Sequence, residues 1–160
     1  MTKPFELTAS EAINLIRNKK LSIHEWVLSC FERIKEKEDV VKAWIYLDEE
    51  NALKKSKKLD EQNNNIALGI PFGIKDIIDA SNVPTGFGTP FYKNNIPARD
   101  AASVAVSKQA GCVFMGKTVS TELGHRAPGL TTNPHNKDFT PGGSSSCLLY
   151  TSPSPRDQRG

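Results

Sequence analysis

The chain has 160 residues, of which 38% are hydrophobic and 24% are charged, and these proportions are ordinary for one globular domain. Its formal net charge of +3 is too small to argue for a nucleic-acid partner, and its apolar runs are too short to span a membrane. The N-terminus lacks the apolar stretch of a signal peptide, so the sequence predicts a cytoplasmic protein. Three cysteines without CxxC spacing indicate neither a zinc site nor a disulfide framework.

Two capping boxes predict two helices near the N-terminus. Thr8 to Glu11 and Ser22 to Glu25 each combine a hydroxyl with a carboxylate three residues later, and both groups can accept a free N–H at a helix start. Apolar residues follow each box at helical spacing, which predicts that one face of each helix lies in a core. A short strand is then predicted at Ala43 to Leu47 and a polar helix over residues 48–60.

The segment Gly69 to Asp76, GIPFGIKD, predicts a mostly buried strand that carries one lysine, Lys75, in an apolar run that continues to Ile78. Burial lowers the pKa of a lysine because it disfavours the ammonium, and a neutral amine can act as a base. A lysine at a strand end can instead reach into water, so the segment alone leaves both interpretations open. A loop rich in Gly and Pro, Ser81 to Pro90, follows at the carboxyl end of the strand, where open α/β sheets bind ligands.

The next part of the chain predicts a crossover unit. Residues 101–108 are predicted as a helix that ends before Gly111, and Cys112 to Gly116 as a strand. Strand, loop, helix and strand in this order predict a parallel pair in a sheet covered by helices. A short helix, Ser120 to Gly124, then precedes a long irregular stretch, and such stretches in compact domains are usually functional or disordered.

Two further motifs suggest chemistry. Thr140 to Ser146, TPGGSSS, offers hydroxyls and unhindered backbone N–H groups, which suit a hydrolase that uses serine and lysine, although a flexible linker has the same composition. Gly111 to Thr118, GCVFMGKT, matches the phosphate-binding pattern GxxxxGK[ST]. That pattern requires a preceding strand and a flexible loop, and these positions are predicted as a helix and a strand. Nucleotide binding is therefore the weaker alternative, from another functional class.

In this order, GIPFGIKD, GKTVSTELG, TTNPHN and TPGGSSS resemble the amidase signature family, serine hydrolases of amide bonds. The resemblance implies an α/β fold with a mixed sheet sandwiched between helices, of which residues 1–146 would hold the N-terminal part of a single domain. It also implies a small-molecule amide as substrate, no cofactor or metal, and a possible oligomer. One branch of the family is the amidotransferase subunit that releases ammonia from glutamine for mischarged tRNA. It ranks second here, because the loop His125 to Asn136 is more similar to that of free-standing amidases.

The resemblance implies roles for five residues. Lys75 matches the family's lysine base, and Ser144 matches the bridging serine, which the family holds at a cis peptide. Glu122 and Leu123 fall where the family lines its acyl pocket, and Ser145 is expected to support the adjoining loop as part of the substrate-binding set. The family's nucleophilic serine lies beyond the bridging serine in a Gly-rich segment, so we expect it to be absent from this chain.

Residues 147–160, CLLYTSPSPRDQRG, do not continue this pattern. The family runs on into a helix of small residues after GGSSS, whereas this chain changes to a tail rich in Ser, Pro and Arg that resembles a translated sequencing adaptor. We therefore expect a truncated chain with a non-native tail, and we expect this chain by itself to be inactive on amides.

Overall fold

The computed structural model describes residues 3–62, 68–125 and 127–145, so the predicted non-native tail lies outside the described residues. None of the helices within these ranges is long and apolar enough to cross a membrane. Short 3₁₀ turns lie at Pro4–Glu6, Pro90–Tyr92 and Glu122–Gly124. In chain order the main elements are α1 (Ala9–Arg17), α2 (Ile23–Val41), β1 (Trp44–Leu47), α3 (Glu49–Glu61), β2 (Pro71–Lys75), α4 (Ala102–Gln109) and β3 (Val113–Thr118).

Both predicted capping boxes form. Thr8 N–H donates to Glu11 Oε2 at 2.8 Å, and Glu11 N–H donates to Thr8 Oγ1 at 3.3 Å. Ser22 N–H donates to Glu25 Oε2 at 2.8 Å, and Glu25 N–H donates to Ser22 Oγ at 3.0 Å. The first turn of a helix leaves these N–H groups without an intrahelical partner, so the side chains beside them fix where α1 and α2 begin.

The three strands form one sheet in the order β1–β3–β2. Val113 N–H donates to Ile70 O at 2.8 Å, and Asp76 N–H donates to Thr118 O at 3.0 Å. The partner positions therefore advance together along both strands, which makes β2 and β3 parallel. The sequence-based prediction of a crossover with a parallel pair is confirmed.

The edge strand β1 runs the other way. Asp48 N–H donates to Met115 O and Val119 N–H donates to Ala43 O, both at 2.9 Å. An increase in position along β1 thus corresponds to a decrease along β3, as in an antiparallel pair. Helices together with this mixed sheet confirm the predicted α/β fold class.

The described residues divide into two compact units, and the first has an apolar core. It comprises residues 3–36, 47–62, 68–73 and 102–116. Its helices turn apolar faces inward, as their spacing predicts, and each large side chain fully buried in this way contributes about 1.5–3 kcal/mol. Its buried apolar residues are Ala12, Ile23, Trp26, Val27, Phe31, Ala52, Leu59, Val104, Val113 and Met115.

The second unit buries more polar than apolar side chains. It comprises residues 37–46, 74–101, 117–125 and 127–145. Nine of the eleven buried polar or charged residues in the described chain belong to it: Lys75, Asp76, Thr85, Thr89, Lys117, Thr118, Ser120, Thr121 and Thr131. Burying polar groups costs free energy unless they are hydrogen-bonded. Their concentration in the second unit therefore makes this unit the candidate location of a functional site.

The strand β2 ends earlier than its apolar run predicts. The run continues through Ile77 and Ile78, but β2 stops at Lys75, and Ile78 N–H donates to Lys75 O at 2.9 Å in a turn. Ile77 is 37% exposed as a result. The turn begins at Asp76, whose carboxylate accepts hydrogen bonds from the backbone of the following loop and so draws the chain away from the strand direction.

Candidate active site

Lys75, the last residue of β2, contacts the serine-rich segment. Its side chain is buried, and its Nζ donates a hydrogen bond to Ser144 Oγ at 2.8 Å across 69 positions of sequence. Burial lowers the pKa of Lys75, because the loss of water disfavours the ammonium. The alternative interpretation, a strand-end lysine that reaches into water, is therefore wrong.

Ser144 is held from its backbone as well as from its side chain. The peptide bond between Gly143 and Ser144 is cis, which is the feature that the family resemblance implied at this serine. The carbonyl oxygen of Ser144 accepts two hydrogen bonds from Thr121, one from the backbone N–H at 3.2 Å and one from Oγ1 at 3.3 Å. Ser144 thus has partners on both its hydroxyl and its carbonyl.

A buried ion pair lies next in sequence to Lys75. Lys117 Nζ is 3.5 Å from Asp76 Oδ1, and it donates to Ile78 O and to Thr85 Oγ1, both at 2.7 Å. The Lys117 side chain is fully buried; burial lowers its pKa, and the nearby Asp76 carboxylate opposes that change. A buried ammonium needs such partners in place of water, and these three fill its donor positions.

The same contacts show that the phosphate-loop interpretation of GCVFMGKT is wrong. Residues Val113–Thr118 form the strand β3, and helix α4, not a strand, precedes them. A phosphate-binding loop must instead wrap its backbone N–H groups around the ligand. Lys117, which would have to reach a phosphate, is bonded inside the protein.

The loop after β2 is folded onto the residues that follow β3. The Asp76 carboxylate accepts from Gly86 N–H at 3.1 Å and from Gly88 N–H at 3.4 Å. Gly88 has φ +66°, and a Cβ there would lie 2.7 Å from Ser120 O and 2.8 Å from Thr121 O. Only glycine can adopt this backbone at such close approach, so the loop rests directly on the backbone that leads to Thr121.

Glu122 and Leu123 lie in the 3₁₀ turn after β3. Leu123 has φ 48° and is 55% exposed, and its N–H donates to Phe87 O at 2.8 Å. Glu122 N–H donates to Ala127 O at 3.0 Å. These backbone bonds anchor the turn to neighbouring loops and not to Lys75 or Ser144, while Ser145 is half-buried directly after Ser144. The structure therefore brings together Lys75 and Ser144, while contact of Glu122, Leu123 and Ser145 with a substrate stays a prediction.

A cavity of about 610 Å³ lies in the same unit as the Lys75–Ser144 pair. Its lining includes Asp76, Gly88, Thr89 and Ser120, and it does not include Lys75 or Ser144. The hydrogen bond between lysine and serine, and not the volume of this cavity, identifies the candidate reaction centre.

Sequence reasoning assigned no role to three residues around this centre: Asp76, Lys117 and Thr121. A lysine in the apolar strand VFMGKT is the same kind of signal as Lys75 in GIPFGIKD, but the segment also matches the phosphate-loop pattern, which indicates a different role for the lysine. Asp76 and Thr121 gave no signal, because a pattern in one segment does not show which distant backbone groups a side chain will bond.

Comparisons with known proteins show the family to which the chain belongs. Residues 25–147 match the model of the family described as Amidase. The chain is also similar to one subunit of the glutamyl-tRNA(Gln) amidotransferase of Bacillus mycoides (strain KBAB4). The two are 35% identical over 151 residues, which cover 88% of this chain and 31% of that protein.

Two solved structures share the fold. The peptide amidase from Stenotrophomonas maltophilia has a TM-score of 0.81 and 25% identity, over 91% of this chain and 34% of that one. A bacterial aryl acylamidase has a TM-score of 0.76 and 27% identity, over 88% of this chain and 32% of that one. The chain thus spans about a third of the length of the proteins it matches. Because the family match covers most of its residues and the fold agrees, the chain belongs to the amidase family.

Proposed function

We propose that the complete protein hydrolyses amide bonds through a serine acyl-enzyme, with Lys75 as general base and Ser144 as proton relay. The observation that carries this proposal is the 2.8 Å hydrogen bond between Lys75 Nζ and Ser144 Oγ at a buried lysine. A general base must lie within hydrogen-bond reach of the proton that it takes, and this pair meets that condition. Membership of the amidase family supports the same chemistry.

The proton moves in two linked transfers. Neutral Lys75 accepts the hydroxyl proton of Ser144, while Ser144 Oγ accepts the proton of the nucleophilic serine, whose oxygen attacks the amide carbonyl carbon. When the tetrahedral intermediate breaks its C–N bond, the proton returns through Ser144 to the departing nitrogen. Water then cleaves the acyl ester by the same relay, and no step requires a metal or cofactor.

The nucleophilic serine is proposed to lie in the part of the protein beyond this chain. Two observations support this: the chain spans 31% of the length of a curated relative, and the described serine-rich segment supplies the relay position. By this proposal the chain carries the base and the relay, and the remainder of the protein carries the group that attacks.

The substrate is proposed to be a small-molecule amide that contacts Glu122, Leu123 and Ser145. Leu123 offers an apolar side chain, 55% exposed, in the same compact unit as Lys75 and Ser144. Ser145 adjoins Ser144 along the chain and is half-buried. An apolar surface close to polar reacting groups is the usual composition of a small-molecule site.

The pH dependence of serine labelling tests the proposal. A fluorophosphonate reacts with activated serine hydroxyls, so its rate of reaction with the complete protein should follow the fraction of neutral Lys75. Burial lowers the pKa of Lys75, and the rate should therefore rise with pH with a midpoint below the usual lysine value of about 10.4. The measurement is the labelling rate constant from neutral to alkaline pH. A rate that does not change with pH, or a protein that does not label, contradicts the proposal.

A second, narrower function is the glutamine-hydrolysing component of a tRNA-dependent amidotransferase. The observation that favours it is the 35% identity to the amidotransferase subunit from Bacillus mycoides, compared with 25% and 27% to the two solved amidases. In this function the same base and relay would release ammonia from glutamine, and the protein would work within a complex.

Hydrolysis assays separate the two functions. If the complete protein is such a component, it should co-purify with other subunits from its own cells, and its hydrolysis of glutamine should increase when they are present. If it acts alone, the purified protein should hydrolyse simple amides at a rate that does not depend on other proteins. Rapid hydrolysis of simple amides by the isolated protein, with no response of glutamine hydrolysis to other subunits, would exclude the narrower function.

A further inference from the structure

Thr121, which lies between β3 and the 3₁₀ turn, forms hydrogen bonds with the backbone of Ser144. Thr121 is 3% exposed and gives both of its hydrogen-bond donors to the same acceptor, the carbonyl oxygen of Ser144. Its methyl group packs on the same segment, because a Cβ built on Gly143 would lie 3.3 Å from Thr121 Cγ2. The hydroxyl, the amide and the methyl group of Thr121 therefore all face the backbone of Gly143 and Ser144.

Thr121 is itself rigidly held. Its carbonyl oxygen accepts from Ser120 Oγ at 2.8 Å and from Gly124 N–H at 3.0 Å. Gly88 of the neighbouring loop lies against the same carbonyl, close enough that a Cβ there would be at 2.8 Å. Contacts from Ser120, Gly124 and Gly88 restrict the Thr121 carbonyl, so Thr121 can serve as a fixed point for the segment that it contacts.

We infer that Thr121 is a positioning residue for the proton relay, an inference that rests on the proposed function. Ser144 lies in a segment without regular secondary structure, and Oγ can accept or give a proton only while it points at Lys75 Nζ. Two bonds to the Ser144 carbonyl restrict rotation of the backbone that carries Oγ. Thr121 thereby sets the direction of the hydroxyl without touching the reacting atoms.

The test is fluorophosphonate labelling of the complete protein with Thr121→Val, which keeps the shape and the methyl group but removes the hydroxyl. Loss of one such hydrogen bond should slow labelling by about five- to tenfold. Thr121→Ser keeps the hydroxyl and should retain a rate within about twofold of the parent. A residue needed only for stability would instead lower the thermal midpoint and would not distinguish the two variants by labelling rate.

The decisive comparison repeats Thr121→Val in a Ser144→Ala background. If Thr121 acts through Ser144, the substitution should have no further effect on the rate once the relay hydroxyl is gone. An equal loss in both backgrounds, or no loss in the parent, overturns the inference. If Ser144→Ala alone leaves the rate unchanged, the proposed relay is wrong, and the inference about Thr121 is wrong with it. Failure of the relay is therefore seen in the single Ser144→Ala variant, whereas failure of the inference alone is seen only in the Thr121→Val comparison. Should Thr121→Val not fold, Thr121→Ala allows the same comparison, because it also lacks the hydroxyl.

Discussion

Lys75→Ala in the complete protein should lower the rate of fluorophosphonate labelling at neutral pH by on the order of a hundredfold or more, because general-base catalysis contributes on that scale. The Lys75 amine is buried and lies 2.8 Å from Ser144 Oγ, and alanine at this position has no group that can accept the proton. The rate constant of labelling is the measurement, and the thermal midpoint should be recorded beside it to show that the variant is folded.

Lys75→Arg distinguishes proton transfer from simple positive charge. A guanidinium stays protonated and cannot accept the proton, so this variant should be no faster than Lys75→Ala. The matched control is Lys57→Ala at an exposed lysine of α3, which should label at the parent rate. If Lys75→Arg labels as fast as the parent protein, Lys75 is not the base.

The labelling rate of the double variant, Lys75→Ala with Ser144→Ala, measures the coupling between the two residues. Ser144→Ala should cost a comparable or smaller factor than Lys75→Ala. The double variant should cost much less than the product of the two single losses, since residues in one relay are not additive.

Lys117→Met should destabilise the complete protein by about 3–5 kcal/mol, the usual cost of leaving one partner of a buried ion pair uncompensated. Methionine fills a similar volume but offers nothing to the Asp76 carboxylate, to Ile78 O or to the Thr85 hydroxyl, which all lie within reach of the ammonium in the parent. The measurement is the denaturant midpoint of unfolding, compared with Lys57→Met at an exposed position as the matched control.

A second variant removes the charges of both Asp76 and Lys117, and its stability is compared with that of Lys117→Met alone. Asp76→Asn combined with Lys117→Met leaves no unpaired carboxylate at position 76, while an amide oxygen there can still accept from Gly86 N–H. The double variant should therefore be more stable than Lys117→Met alone. A Lys117→Met protein with the parent midpoint would show that the pair contributes nothing to the fold.

Local chemistry allowed much of this fold to be predicted from the sequence. The hydroxyl and carboxylate of each capping box act within four residues, so Thr8 and Ser22 identified the starts of α1 and α2 directly. The order strand, loop, helix and strand predicted the parallel pair, because a helix that crosses over a sheet returns the chain to run in the direction of the first strand. The motifs GIPFGIKD and TPGGSSS were sufficient to indicate the amidase family, to which the chain belongs.

The sequence was less informative where an outcome depends on contacts between distant residues. Two lysines, Lys75 and Lys117, stand in apolar strands, and nothing in their own segments shows which one faces a serine and which one is neutralised by a carboxylate. The tertiary structure decides this, because the direction of each strand and the path of the loop at Gly88 determine which groups replace water around each amine. Burial lowers the pKa of both amines, because desolvation disfavours the ammonium. At Lys117 the Asp76 carboxylate opposes this change. The sequence by itself therefore determined the helix starts, the strands and the family, whereas the pairing of Lys75 with Ser144 and of Lys117 with Asp76 was decided only when the chain folded.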